Sequence, residues 1–175
     1  MPIAPSGEQF EIAHLAQRAT IVEVGGGVRA YCDGERPVLQ PYAADAICDG
    51  GHGAPLIPWP NRLADGRYTF DGQERRLPLT EPEKGNAIHG LLRWRNWAAR
   101  TRSPQRVVMG TVLHPNDRWP FTLDVEIAYA LSQDGLAVRT CATNQGQTAC
   151  PYACGQHPYL SPGDGATIDQ ATLEL

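Results

Sequence analysis

Between Leu123 and Leu131 the chain alternates without a break. Leu123, Val125, Ile127, Tyr129 and Leu131 face one way, with Asp124, Glu126, Ala128 and Ala130 between them. Successive side chains of a strand point to opposite faces, so a period of two marks a strand with one face in a core. Gln133-Asp134-Gly135 then turns the chain, and Leu136, Val138 and Thr140 return it. The result is an antiparallel meander with one buried face. The same grammar recurs upstream. Arg67-Tyr68-Thr69-Phe70 runs into Asp71-Gly72, which readily takes the positive φ angles of a two-residue hairpin turn, before Gln73 resumes. Phe10 to Leu15 begins in alternation, Arg18 to Val24 ends in a β-branched run, and Val107 to His114 reads as another strand. Gly25-Gly26-Gly27 lacks the spacing of a phosphate cradle and reads as a strand-to-strand turn. No stretch holds a sustained 3.6-residue apolar period, and nothing repeats at a fixed interval. The fold class is all-β.

A chain of 175 residues can bury a core as one domain, residues 1–175. Its net charge is −4 and its basic residues form no dense run, which argues against a nucleic acid partner. No uncharged apolar stretch approaches the roughly 20 residues a membrane helix needs, and no leader pattern opens the chain, so no membrane partner is expected. Cys32, Cys48, Cys141, Cys150 and Cys154 are an odd, sparse set without secretory context. Reduced thiols in a cytoplasmic protein fit them best.

Three stretches carry chemistry. Residues 32–66 read as a long irregular segment holding Pro37, Pro41, Pro55, Pro58 and Pro60, and loops of that length are commonly functional. Within it, Leu56-Ile57-Pro58-Trp59-Pro60-Asn61-Arg62 is apolar and stiffened by proline, which argues for an ordered loop. Gly85 to Trp97 sets His89 beside Gly90 and adds Arg93, Trp94, Arg95 and Trp97. Glycine lets a bound group approach the backbone, indole faces suit a sugar's C–H face, and arginine supplies directed donors. Gly155-Gln156-His157-Pro158-Tyr159-Leu160 follows a strand expected through Ala153 and puts a second histidine at its end. An imidazole, with an ordinary pKa of about 6.5, suits proton transfer near neutrality.

Other constellations fall away. Cys150, Cys154 and His157 lack the Cys-x2-Cys spacing and second ligand pair of a zinc site, and on a strand both cysteines share one face as small apolar residues. No metal is expected. A Cys–His nucleophile pair stays open, with nothing marking a thiol as activated. Ser103, Ser132 and Ser161 lie outside any nucleophile-elbow context. His14, His52 and His114 show no partner spacing and read as surface or structural.

Taken together, Pro58-Trp59-Pro60-Asn61-Arg62, Asn86-Ala87-Ile88-His89-Gly90 and Gly155-Gln156-His157-Pro158-Tyr159-Leu160 resemble the N-terminal half of the aldose 1-epimerase (galactose mutarotase) family in order and spacing. The resemblance implies an antiparallel β-sandwich, a supersandwich, with a sugar bound across one sheet. It implies interconversion of α and β anomers of a hexose such as glucose or galactose, with no cofactor. His157 matches the family's general acid and His89 its second active-site histidine. Asn61 and Arg62 match the pair that contacts sugar hydroxyls, and Tyr159 lies where the acid motif carries an aromatic. The family's general base is a Glu far towards the C-terminus, with a sugar-binding Asp also beyond the midpoint. Leu175 comes before either, and neither Glu126 nor Glu174 sits in a matching motif. A non-catalytic carbohydrate-binding domain is therefore the first alternative. A sugar-phosphate epimerase is the second, in which Arg62, Arg93 and Arg95 either form an anion pocket or pair with carboxylates.

Ala166 to Leu175 alternates like a strand up to the final residue. An open apolar edge there suggests the N-terminal part of a longer domain, and self-association through that strand.

Overall fold

Two four-stranded antiparallel sheets, face to face, organise the computed structural model, which describes residues 3–163, 166–172 and 174. The first holds β1 (Gln9–His14), β2 (Gln17–Val22), β3 (Val28–Asp33) and β4 (Arg36–Leu39) in chain order. The second holds β10 (Ala98–Ser103), β11 (Arg106–Leu113), β12 (Leu123–Ser132) and β13 (Gly135–Asn144), again in chain order. Five short strands between them in sequence, with one more after the second sheet, form three two-stranded ladders. They pair β5 (Pro55–Leu56) with β14 (Gly155–Gln156), β6 (Arg62–Ala64) with β9 (Asn86–Ile88), and β7 (Arg67–Phe70) with β8 (Gln73–Arg76). Helical structure among the described residues is two single 3-10 turns, Pro82–Lys84 and Ile168–Gln170. The all-β antiparallel sandwich is the observed architecture.

The alternation of β12 does what its period requires. Leu123, Val125, Ile127, Tyr129 and Leu131 are buried and Asp124, Glu126, Ala128 and Ala130 are partly exposed. Their apolar face meets Phe10, Ile12, Ala19 and Ile21 of the first sheet, and Val107 and Met109 of β11 join the same core. Gln17 ties the sheets at their rim by donating from Nε2 to the Ser132 carbonyl at 2.8 Å. Asp71 and Gly72 both take positive φ, 52° and 69°, as the hairpin between β7 and β8 demands.

The triple glycine is the turn between β2 and β3, and packing explains its composition. A Cβ on Gly26 would come within 2.6 Å of the Trp97 indole, so the turn can lie against the loop that carries His89 only as glycine. Tyr129 locks this contact from the core side, its buried hydroxyl donating to the Gly26 carbonyl at 2.7 Å. Tyr129→Phe removes that donor and leaves a buried acceptor unpaired. We expect a loss of about 1–2 kcal/mol, read as a lower urea midpoint at unchanged slope.

The structure corrects several expectations. Residues 32–66 are not wholly irregular, because β3 and β4 form a hairpin and β6 begins at Arg62. The ordered loop is as expected, with Leu56, Ile57 and Trp59 buried and Ile57–Pro58 in the cis form. Leu15 belongs to a turn, not to β1, and is 81% exposed with φ at 53°. The strand expected through Ala153 is absent. Residues 149–154 are irregular, so Cys150 and Cys154 share no strand face. The return strand β13 is less buried than its pattern implies. Val138 is 41% exposed, on a strand that pairs only with β12 among the described residues. The C-terminal strand is replaced by the turn Ile168–Gln170, whose backbone bonds are local: Ala171 N–H donates to the Ile168 carbonyl at 3.0 Å. A strand needs a neighbour to take its backbone groups, and this segment has none among the described residues. Leu173 and Leu175 lie outside them. No helix among the described residues is long and apolar enough to cross a membrane.

Candidate functional site

The three sequence motifs are hydrogen-bonded to one another. In the β6–β9 ladder Arg62 faces Ile88 and Leu63 faces Ala87, so Asn61 and His89 meet at its end. Both take left-handed φ, 60° and 63°. His89 N–H donates to the Asn61 carbonyl at 2.9 Å, and Asn61 N–H returns a bond to His89 Nδ1 at 3.1 Å. The third motif is fixed through β14, where Gly155 pairs with Leu56 and Gln156 with Pro55. His157 N–H then donates to the Ala54 carbonyl at 3.1 Å, and its own carbonyl accepts from Gly53 at 2.9 Å.

These ladders bring the two imidazoles edge to face, with ring centroids 5.3 Å apart at 85°. Tyr159 packs on the other side of His157 at 5.3 Å and 24°, and its hydroxyl donates to the Gly50 carbonyl at 3.2 Å. His52 stacks in turn on Tyr159, 4.1 Å away and nearly parallel at 12°. Read from sequence as surface or structural, His52 buttresses the ring behind His157. Tyr159 sits beside the cleft that His89 and His157 open into, while Asn61 and Arg62 line it directly.

That cleft encloses about 620 Å³, within the range of small-molecule sites. Its remaining walls include Asp49, Glu81, Arg93 and Trp94. Of the two indoles near His89, Trp94 stands 54% exposed at the cleft while Trp97 is core, donating from Nε1 to the Leu92 carbonyl at 3.4 Å. Arg62 is gripped by Glu81 through Nε at 2.6 Å and Nη2 at 2.9 Å, and Lys84 reaches the same carboxylate at 2.9 Å. The hydrogen bond from Arg62, then that from Lys84, holds the Glu81 carboxyl far below the usual carboxylate range. Sequence reasoning missed Glu81 and Asp49. Glu81 is 19 residues from Arg62 and no local pattern links them.

His89 is pulled down to about 4, first by burial and then by the positive charges of Arg93, His157 and Arg62. Neutral at physiological pH, and accepting the Asn61 N–H on Nδ1, it carries its proton on Nε2. It is a hydrogen-bond donor, not a proton source. The sign of the linkage follows. From the ordinary value of 6.5 down to about 4, the unfolded chain binds a proton that folded His89 refuses, so His89 makes stability fall as pH drops through that window. Proton NMR should place the His89 midpoint near 4, and Arg93→Gln should raise it. A midpoint at the free-histidine value would refute this electrostatic description.

Glu126, set aside from the sequence, lies elsewhere, paired with Arg100 at 2.9 Å on the outer face of the second sheet. Among the described residues no three His, Cys, Asp or Glu side chains gather as a metal site.

Known proteins set this geometry in a family. The aldose 1-epimerase family model matches residues 8–175. An Escherichia coli K12 protein, YihR, described as uncharacterized, is 37% identical over 157 residues, which are 89% of this chain and 51% of that protein. Among solved structures, a GalM/aldose epimerase homologue from C. elegans superposes with a TM-score of 0.75 at 18% identity, over 91% of this chain and 52% of that one. A galactose mutarotase-like protein from Clostridium acetobutylicum does so at 0.73 and 21% identity, over 85% and 49%. At such identities the structural likeness shows the fold, and the chain spans about half the length of the curated relatives it matches. Matched along nearly all of its length, the chain belongs to the aldose 1-epimerase family.

Proposed function

We propose that this cleft binds an aldose and carries the acid side of its anomer interconversion. The observation that supports this most is the paired histidines, one neutral and donating, the other 5.3 Å away across the same opening. His157 delivers a proton to the ring oxygen as a base removes one from the anomeric hydroxyl, so the C1–O5 bond breaks and a carbonyl forms. Rotation about C1–C2 presents the other face, and closure returns both protons. His89 donates from Nε2 to the oxygen on which negative charge develops, and Asn61 and Arg62 hold hydroxyl groups, with Tyr159 backing His157. By the family resemblance, we expect the base beyond Leu175. Five free cysteines suit a reducing compartment, and we place the protein in the cytoplasm.

Polarimetry of freshly dissolved α-glucose and α-galactose with the 175-residue chain tests this reading. Acceleration over buffer that disappears in His157→Asn supports it and puts the base within these residues. Asp49 would then be that base, as the cleft carboxylate not tied to a cation. Sugar binding without acceleration supports the acid half alone and leaves the base outside these residues. Absence of sugar binding contradicts the proposal.

A further inference from the structure

The charges of the cleft are not all paired. Arg62 is committed to Glu81, which also takes Lys84. Asp49 turns back on its own loop, its Oδ1 accepting the Gly50 N–H at 2.7 Å. Arg95 is exposed and stands outside the cleft. That leaves Arg93, which has no carboxylate within 4.0 Å and no side-chain hydrogen bond among the described residues. It is half-buried, and its guanidinium lies over the Trp94 ring at 5.5 Å from the centroid. A Cβ built on Gly51 would be 3.4 Å from both Arg93 Nη1 and His157 Cδ2, so the cation stands beside the His157 ring.

A cation–π contact with an indole takes up none of a guanidinium's N–H hydrogen bonds, so its donor fork stays available to a ligand. A partly desolvated cation with unused donors is poorly matched to a neutral hydroxyl and well matched to an oxyanion, which takes two N–H bonds at once. The cleft around it offers donors and a sugar-sized volume. Resting on the aldose reading above, we propose that the substrate is an aldose bearing an anionic substituent, a phosphate or a carboxylate, and that Arg93 binds this group.

Calorimetric titration of the full chain at one fixed ionic strength, with glucose, glucose 6-phosphate, glucuronate and inorganic phosphate, decides it. A charged sugar should bind about tenfold or more tightly than glucose. Arg93→Gln should shrink that ratio to within about twofold, and Arg93→Lys, which keeps the charge but not the fork, should leave it in between. Equal affinity for glucose and both charged sugars overturns the proposal, and so does a ratio that survives Arg93→Gln. Inorganic phosphate binding as tightly as the sugar phosphate also overturns it, because the site would then read the anion without the sugar. The aldose reading is judged separately. Glucose binding without a charge preference sinks only the role of Arg93, whereas no binding of any sugar sinks both.

Discussion

His157→Asn should abolish anomer exchange without unfolding the protein. The acceleration measured for this chain, alone or completed by the C-terminal half that its relatives possess, should drop by about 10²–10⁴-fold, the range of a positioned acid–base group. That is on the order of 3–5 kcal/mol of barrier. Asparagine can hold a hydrogen bond at this place but has no proton to transfer. The backbone of residue 157 is fixed independently of its side chain, by the bonds to Ala54 and from Gly53, so the loop should stay where it is. The expected signature is therefore a fall in kcat with sugar affinity within about threefold of the parent. Undiminished exchange would remove His157 from the chemistry. Loss of binding together with rate would make it a substrate contact instead.

Gly90→Ala should be the most damaging single change to the fold. Gly90 has φ at 78° and bridges to Ile57, whose carbonyl accepts the Leu91 N–H at 2.8 Å. An added Cβ would overlap that carbonyl, and its carbon and oxygen belong to the buried backbone of the proline-stiffened loop. Neither can move without opening the contact between the loop of Asn61 and the loop of His89. We expect a loss above about 4 kcal/mol, or failure to fold. Gly72→Ala is the control. Its φ of 69° is similar, but nothing lies within 4 Å of the built Cβ, so it should cost only the backbone term of about 1–2 kcal/mol. If the two variants melt alike, steric overlap is not what position 90 guards against.

Local signals were the legible part of the fold. The period of two in β12, the Asp71-Gly72 turn and the proline-stiffened loop depend on neighbours in sequence, and each formed as read. Failures occur where the outcome depends on a distant partner. The apolar positions of β13 imply burial, yet Val138 stays 41% exposed on a strand that pairs only with β12 among the described residues. Ala171, Leu173 and Leu175 fall on one face but Ile168 on the other, and Ile168–Gln170 forms a turn with no neighbouring strand among the described residues. At the site, the motifs resembling those of a family pointed to His89, His157, Asn61 and Arg62, which the ladders bring to one cleft. The charge pattern was not readable. Nothing local tells Arg62, held by Glu81, from Arg93, held by none of the described carboxylates. Nor does spacing show that His52 would stack on Tyr159, because 107 residues separate partners that meet through the β5–β14 ladder and the bond from Gln40 N–H to the Tyr159 carbonyl.

The central claim is that the opening between His89 and His157 is a sugar site. Its most direct test follows the five histidine ring resonances by NMR while an aldose, neutral or charged, is titrated in. Saturable shifts at His89 and His157, with His14 and His114 unmoved, are the predicted result. Saturating sugar that leaves His157 and His89 unmoved, or shifts all five rings alike, would contradict the account.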